Sequence, residues 1–560
     1  MNVVTTANPS LSSATPNGIS AQTQMRWMFG PYTDMFFGCG GLYAFLLLCI
    51  YGLPAGLKAY VPLGLLPIAV LVTSVPHYGA TLLRVYARKE DREKYRSLSV
   101  WASLAILGWF VLGVYDVLLG SYLVTLYLTW SPWHYTGQNY GLAVMFLGRR
   151  GIVIAPSTKR LLYLSFILSY AMAFLGIHGA TGSQIYDDTS TYTLIRLGVP
   201  DFSYKLLLVV LGVAYVYMTA VSLSRISRGN KLVDLMPVLG LIALQSSWFC
   251  IPLVANAGLI DGWNPNGQLL VYSTLWMAIV HAIQYLWVTN YFARKASPNQ
   301  PHYEQWGRSL LAGGAIWGIP AFAFAPDLLG VHSYDVGLAL LVASAVNVHH
   351  FVLDGAIWKL RDGRIARILL RNVGEQAGSA LESSIPSGFS RVVFALVAIA
   401  GLAYVVIETV ATVETKFAIP KYSSPPDYPR LHTAANRLRW IGRDNPELRF
   451  KLGIGALRTN QYGNAKRELE RSLALGLNHA KAWVALGMVA ERQQQWQEAI
   501  HAYDEALNLN AQSIPALTAS AKIFQRTGEL DRAIQRVSRA LQIYPKDKRL
   551  RSWLEKLNNS

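Results

Sequence analysis

Charge is scarce in this 560-residue chain: only 15% of its residues are Asp, Glu, Lys or Arg, while 52% are hydrophobic. A water-soluble domain carries about 25% charged residues, so an ordinary soluble or disordered protein is excluded and a membrane protein is indicated. Cysteine is scarcer still. Cys39, Cys49 and Cys250 form no CxxC or CxxCH pair, which excludes a zinc ribbon, a thioredoxin-like centre and covalently attached haem c, and argues against a disulfide framework. All three lie in apolar stretches, where they are expected to face lipid or core. Residues 1–30 lack a basic segment followed by an apolar one and read as a flexible tail, not a cleavable signal peptide.

The apolar residues are concentrated before residue 414. Eleven stretches there are long enough to cross a hydrocarbon core of about 30 Å: 34–56, 61–83, 98–120, 121–147, 159–180, 203–224, 233–254, 269–292, 309–330, 335–358 and 390–413. Loop charge tests that count. One set of alternate loops holds twenty-two basic residues, from Arg84, Arg88 and Lys89 to Lys359, Arg361 and Arg391, whereas the other set holds Lys58, Arg196 and Lys205. The positive-inside rule puts the rich set in the cytoplasm. The expected topology is therefore an inner-membrane protein with a cytoplasmic N terminus and a periplasmic or extracellular C-terminal portion. Orientation accounts for much of the formal charge of +18, so nucleic acid is not an expected partner.

Beyond residue 414 the chain is polar and repeats itself at a spacing of 34: Ala465, Ala499 and Ala533; Tyr462, Trp496 and Leu530; Ser472, Ala506 and Ala540. Such a period marks a solenoid. In the middle copy, Trp483, Leu486, Gly487, Ala499, Tyr503 and Ala506 fall where paired antiparallel helices interdigitate large and small side chains. Residues 446–547 thus resemble three repeats of the tetratricopeptide family, with Gly528 at an inter-helix turn, Pro545 at an exit, and Arg449 replacing the aromatic residue of the first copy. The resemblance implies an α-solenoid that binds a protein or peptide, closed by a capping helix over 547–557. The fold expected overall is all-α: a tail over 1–30, a polytopic membrane domain over 31–413, a linker and lead-in helix over 414–445, and a repeat domain over 446–560. The net charge of +10 beyond residue 413 favours acidic partners or anionic headgroups.

Five histidines sit inside apolar stretches: His77, His134, His281, His349 and His350. Ionisable groups there are costly and are functional candidates by default. Their four spans all run in the same direction. At 1.5 Å per residue, His350, His281 and His134 lie about 14, 20 and 22 Å from the basic ends of their helices, and His77 about 10–17 Å. One turn away on the same helices stand Thr81, Gln138, Gln284 with Tyr285, and Asp354. Neutral imidazole suits Fe, Cu, Zn or Mn, and a carboxylate either joins the ligands or orients one. The five histidines are therefore candidate metal ligands, with Asp354, Gln138 and Tyr285 as candidate catalytic groups beside them.

The strings PHYGATLLR, SPWHYTGQNYG, HAIQYLW and NVHHFVLDGAIWKLRD at 76–84, 131–141, 281–287 and 347–362 resemble those of histidine-rich integral-membrane oxygenases, such as the β-carotene dioxygenase family. That resemblance implies non-haem iron on the five histidines and a lipophilic substrate arriving from the bilayer. Three other readings of the same residues stay open. The histidines could hydrogen-bond between helices in a scaffold that merely anchors the repeats, clamp a b-type haem in an electron-transfer protein, or line a proton or ion path.

Overall fold

The computed structural model describes residues 26–52, 67–86, 89–179, 191–256, 267–296, 302–358, 363–371, 388–424, 426–477 and 479–559. Residues 1–25 of the expected tail, and Lys58, Arg88, Lys359 and Arg361 of the loop-charge pattern, lie outside them. Helices and short π-turns build the described residues, with two isolated β-bridges, Gly179 to Val199 and Ser423 to Pro426. The tail ends earlier than position 30. Trp27, Met28 and Phe29 already pack against the bundle core, and Arg26 pairs with Asp234 at 2.9 Å.

Among the described residues seven helices are long and apolar enough to cross a membrane: Pro67–Tyr86, Asp91–Tyr115, Pro156–His178, Asp201–Ser227, Leu232–Val254, Tyr334–Ile357 and Arg391–Ser423. An eighth crossing exists if Pro31–Gly38 and Gly41–Cys49, bent by 64°, form one span. The expectation of eleven was larger. Its remaining stretches fall on the helices Val117–Arg149, Gly267–Ala296 and His302–Ala323. The first of these is 33 residues long, but Ser, Thr, His, Gln and Asn dilute its apolarity. Several of those polar residues face the bundle interior, as Thr136 and Asn139 do.

Close helix approach is bought with glycine. A Cβ on Gly79 would fall 1.8 Å from the Ser309 carbonyl oxygen, and one on Gly313 would fall 1.9 Å from that of Val75. The His77 helix therefore touches the helix His302–Ala323 backbone to backbone, the small-residue packing that serves where lipid removes the hydrophobic drive for helix association. Gln245 fastens a second seam by donating to Thr136 at 2.8 Å and Ser169 at 2.7 Å while accepting from Asn139 at 2.9 Å. Cys39 and Cys250 are buried and no disulfide joins the described cysteines.

The C-terminal array consists of three antiparallel pairs, Pro446–Arg458 with Tyr462–Ala474, Ala480–Arg492 with Trp496–Leu509, and Ile514–Thr527 with Leu530–Ile543, followed by Lys548–Asn558. Ala465, Ala499 and Ala533 are each 0% exposed, as are Ser472, Ala506 and Ala540. Gly487 is small because the Tyr503 ring lies where its Cβ would stand, 2.5 Å away. Arg449 is itself buried, bonded to Asp444 at 2.7 Å and Glu468 at 3.0 Å. The array is fastened to the bundle by Asp327, which bonds Arg439 at 2.9 Å and Arg471 at 2.8 Å. Asp335, at the start of the His350 helix, accepts from Asn445 at 2.8 Å.

Candidate metal centre

Four helices deliver the histidines. His77 follows Pro76 just after a π-turn, Val70–Ser74, a local widening common at functional sites. His134 lies on Val117–Arg149 two residues after Pro132, His281 on Gly267–Ala296, and His350 on Ala339–Ile357. Their ring nitrogens converge. One nitrogen from each of His77, His134, His281 and His350 lies within 4.8 Å of all the others. Neighbouring ring centroids are 4.3 Å apart for His77 and His350, 4.9 Å for His134 and His350, 5.0 Å for His134 and His281, and 5.1 Å for His77 and His281.

His349 does not join them. Its Nε2 meets Ser103 Oγ at 2.7 Å instead. Consecutive residues on a helix point about 100° apart, so only one member of a His-His pair can face the centre. Four of the five histidines singled out from sequence are brought together and the fifth ties two helices.

The nitrogens of the cluster are short of hydrogen-bond partners. His77 Nε2 and both ring nitrogens of His281 are buried with none among the described residues. An unsatisfied buried polar atom costs about 1–3 kcal/mol, and a native structure keeps such atoms where something else satisfies them. His350 Nε2 and His134 Nε2 are 3.2 Å apart. Two nitrogens bound to one ion at about 2.0–2.1 Å each stand at that kind of spacing.

Below the imidazoles lies a carboxylate. Asp354 Oδ2 is 3.8 Å from His134 Nε2, beyond hydrogen-bond length. Its other oxygen accepts the Tyr285 hydroxyl at 2.6 Å. Tyr285 also meets Thr81 Oγ1 at 2.6 Å and accepts from Trp358 Nε1 at 3.0 Å. Thr81 in turn contacts His350 Nδ1 at 2.9 Å. Gln138 stands to one side, its amide on Gln284 Oε1 at 2.5 Å and on the His281 carbonyl at 3.4 Å, while Gln284 reaches the Gly38 carbonyl at 2.8 Å. The Gln138 contacts set the position of the His281 helix. In the sequence Trp358 is marked only by its i+4 spacing from Asp354, and Thr81 only by its i+4 spacing from His77. Aromatic rings close the site: Phe351 stacks on His134 at 4.6 Å and Tyr135 lies 4.1 Å from His281.

The tetratricopeptide repeat family model matches residues 480–513. Those residues are the second helix pair of the array, so the chain carries a tetratricopeptide repeat there, a module of protein–protein interaction. No curated protein matches the chain. Neither comparison supports a likeness of the membrane part to histidine-rich oxygenases.

Proposed function

We propose that the bundle is an integral-membrane metalloprotein whose ion is held by His77, His134, His281 and His350, with iron the first candidate and oxidative chemistry on a lipophilic substrate its use. The observation that carries this reading is the convergence of four imidazoles from four helices, with three of their ring nitrogens otherwise unpartnered. Neutral imidazole is a ligand for iron, copper and zinc alike. Asp354 supplies the negative charge that a divalent ion requires in a low-dielectric site, from within reach of the ligand set. The cluster lies among apolar helices and aromatic rings, which suits a substrate that partitions into the bilayer. Bound iron would supply redox chemistry; the chain would hold it, orient its ligands and exclude water.

Two histidines can also clamp a haem, but a macrocycle needs open space on both faces of its plane. Rings with centroids 4.3–5.1 Å apart leave no such slot, so the spacing favours a bare ion. The repeat array extends the reading with a site for a protein or peptide. It joins the bundle beside a loop that carries Asp327 and Asp335 and no Lys or Arg, in keeping with a position on the less basic side of an inner membrane.

Elemental analysis of detergent-purified protein tests the proposal. About one transition-metal ion per chain is expected, with no Soret band. Content should collapse in His77→Ala and His281→Ala and persist in His349→Ala. Wild-type protein without stoichiometric metal, even after reconstitution with Fe(II), would overturn it and favour a scaffold whose histidines only tie helices.

A further inference from the structure

We infer that Thr81 is a positioning residue that fixes the tautomer of His350, through a one-way hydrogen-bond chain ending on Asp354. The inference rests on the metal-centre reading above. Many hydroxyls in the bundle donate to the carbonyl four residues back, as those of Thr125, Ser131, Thr136, Thr289 and Ser344 do. Thr81 turns instead toward two other helices, meeting Tyr285 Oη at 2.6 Å and His350 Nδ1 at 2.9 Å.

The direction of the chain follows from its fixed members. An indole N–H only donates, and an ionised carboxylate only accepts. Tyr285 Oη sits between the two, 3.0 Å from Trp358 Nε1 and 2.6 Å from Asp354 Oδ1. With Asp354 ionised beside the cation of the proposed centre, the one proton of Tyr285 goes to Asp354, and its two lone pairs face Trp358 and Thr81. Thr81 must then donate its only proton to Tyr285. What Thr81 presents to His350 is a lone pair, so His350 Nδ1 carries the ring proton and Nε2 is left bare. Nε2 is the atom 3.2 Å from His134 Nε2, on the side where the four histidines converge. A ligating histidine needs that tautomer, and residues that hold it typically govern metal affinity by about 10–100-fold.

The chain also explains why four residues from three helices and the segment just beyond the last of them meet at one hydroxyl. Thr81 comes from the His77 helix, Tyr285 from the His281 helix, and Asp354 from the His350 helix, with Trp358 at its C-terminal cap. Their order places each ligand helix in register with another.

Cobalt(II) titration of chelator-stripped, detergent-purified protein tests the chain, with affinity read from the d–d absorption and a competing chelator. Thr81→Val, which keeps the shape and removes the hydroxyl, is expected to weaken cobalt binding about 10–100-fold, and Thr81→Ser to restore it. Tyr285→Phe is expected to weaken binding although Thr81 is intact, because the freed Thr81 proton turns to His350 Nδ1. The double variant should lose no more than the worse single one, as members of one chain do not add. Unchanged affinity in Thr81→Val, failure of Thr81→Ser to rescue, or additive losses would overturn this inference while leaving the metal centre standing. No cobalt binding by the wild type would overturn both.

Discussion

In the repeat array the positions that recur every 34 residues are small and fully buried: Ala465, Ala499 and Ala533 lie under the next helix, and around them pack Leu469, Val489, Tyr503 and Phe524. At the centre of the membrane bundle the buried residues are His77, Thr81, His281, Gln284 and His350. The array is apolar throughout its interior, whereas the bundle keeps a polar cluster at the centre of an otherwise apolar interior. The array gains stability by removing apolar surface from water. The bundle gains none that way, since lipid is as apolar as leucine, and relies on backbone contact at glycine and on polar bonds between helices.

If that difference is real, alanine should act oppositely at two helical glycines of the bundle. Gly313→Ala puts a methyl group on the Val75 carbonyl, at a position with no flexible neighbour to yield. A loss of about 4 kcal/mol or more is expected, read as disappearance of the monodisperse peak in detergent gel filtration. Gly355 has open space around it, and Gly355→Ala should gain a few tenths to about 1 kcal/mol from helix propensity. Equal behaviour of the two would break the account of how the bundle packs.

The next largest effect belongs to the array. Phe524 is 0% exposed at the third helix pair, and Phe524→Ala should cost about 3–5 kcal/mol. Thermal unfolding of the helical signal should shift to lower temperature while metal content of the purified protein stays unchanged. Loss of metal in this variant would show that the two regions fold as one unit.

The smallest effect lies at their junction. Burial pushes the Asp327 carboxyl upward, but hydrogen bonds from Arg439 and Arg471 outweigh it and hold the group below its ordinary value of 3.8. A lowered value means that the attachment is complete above about pH 4 and is lost as acid protonates the carboxylate. The pair is partly exposed, so about 1 kcal/mol or less is at stake. Spin labels at the exposed positions Leu328 and Arg458 should report a single distance at pH 7 and a broadened distribution below pH 4. Asp327→Asn should show the broadening already at pH 7.

How much of this was legible in the sequence follows from the range of the contacts. A repeat closes its core within itself and its neighbour, so the spacing of Ala465, Ala499 and Ala533 sufficed to place the helix pairs, and Tyr462, Trp496 and Leu530 each begin the second helix of one. The membrane helices were legible as apolar stretches, and every stretch has a helix. What the stretches did not fix was the number of crossings: Val117–Arg149 is long enough for one, but its polar residues lower its apolarity below that of the seven candidate spans. The histidines were legible as a set at similar depth, yet His349 and His350 were equivalent on that measure.

Composition, period and apolar patterning are properties of the chain taken a few turns at a time, and they sufficed to indicate a helical chain with helices apolar enough to cross a membrane and an appended repeat domain, and to narrow the candidate site to a handful of residues. Which imidazoles meet, and that Thr81, Tyr285, Asp354 and Trp358 share one chain of hydrogen bonds, depends on how four helices rotate about their own axes when packed. A rotation of one residue is about 100°, enough to send His349 to Ser103 and His350 to the centre. Sequence spacing holds no information on that angle across a separation of 269 residues, the interval between Thr81 and His350, and only the packed bundle decides it.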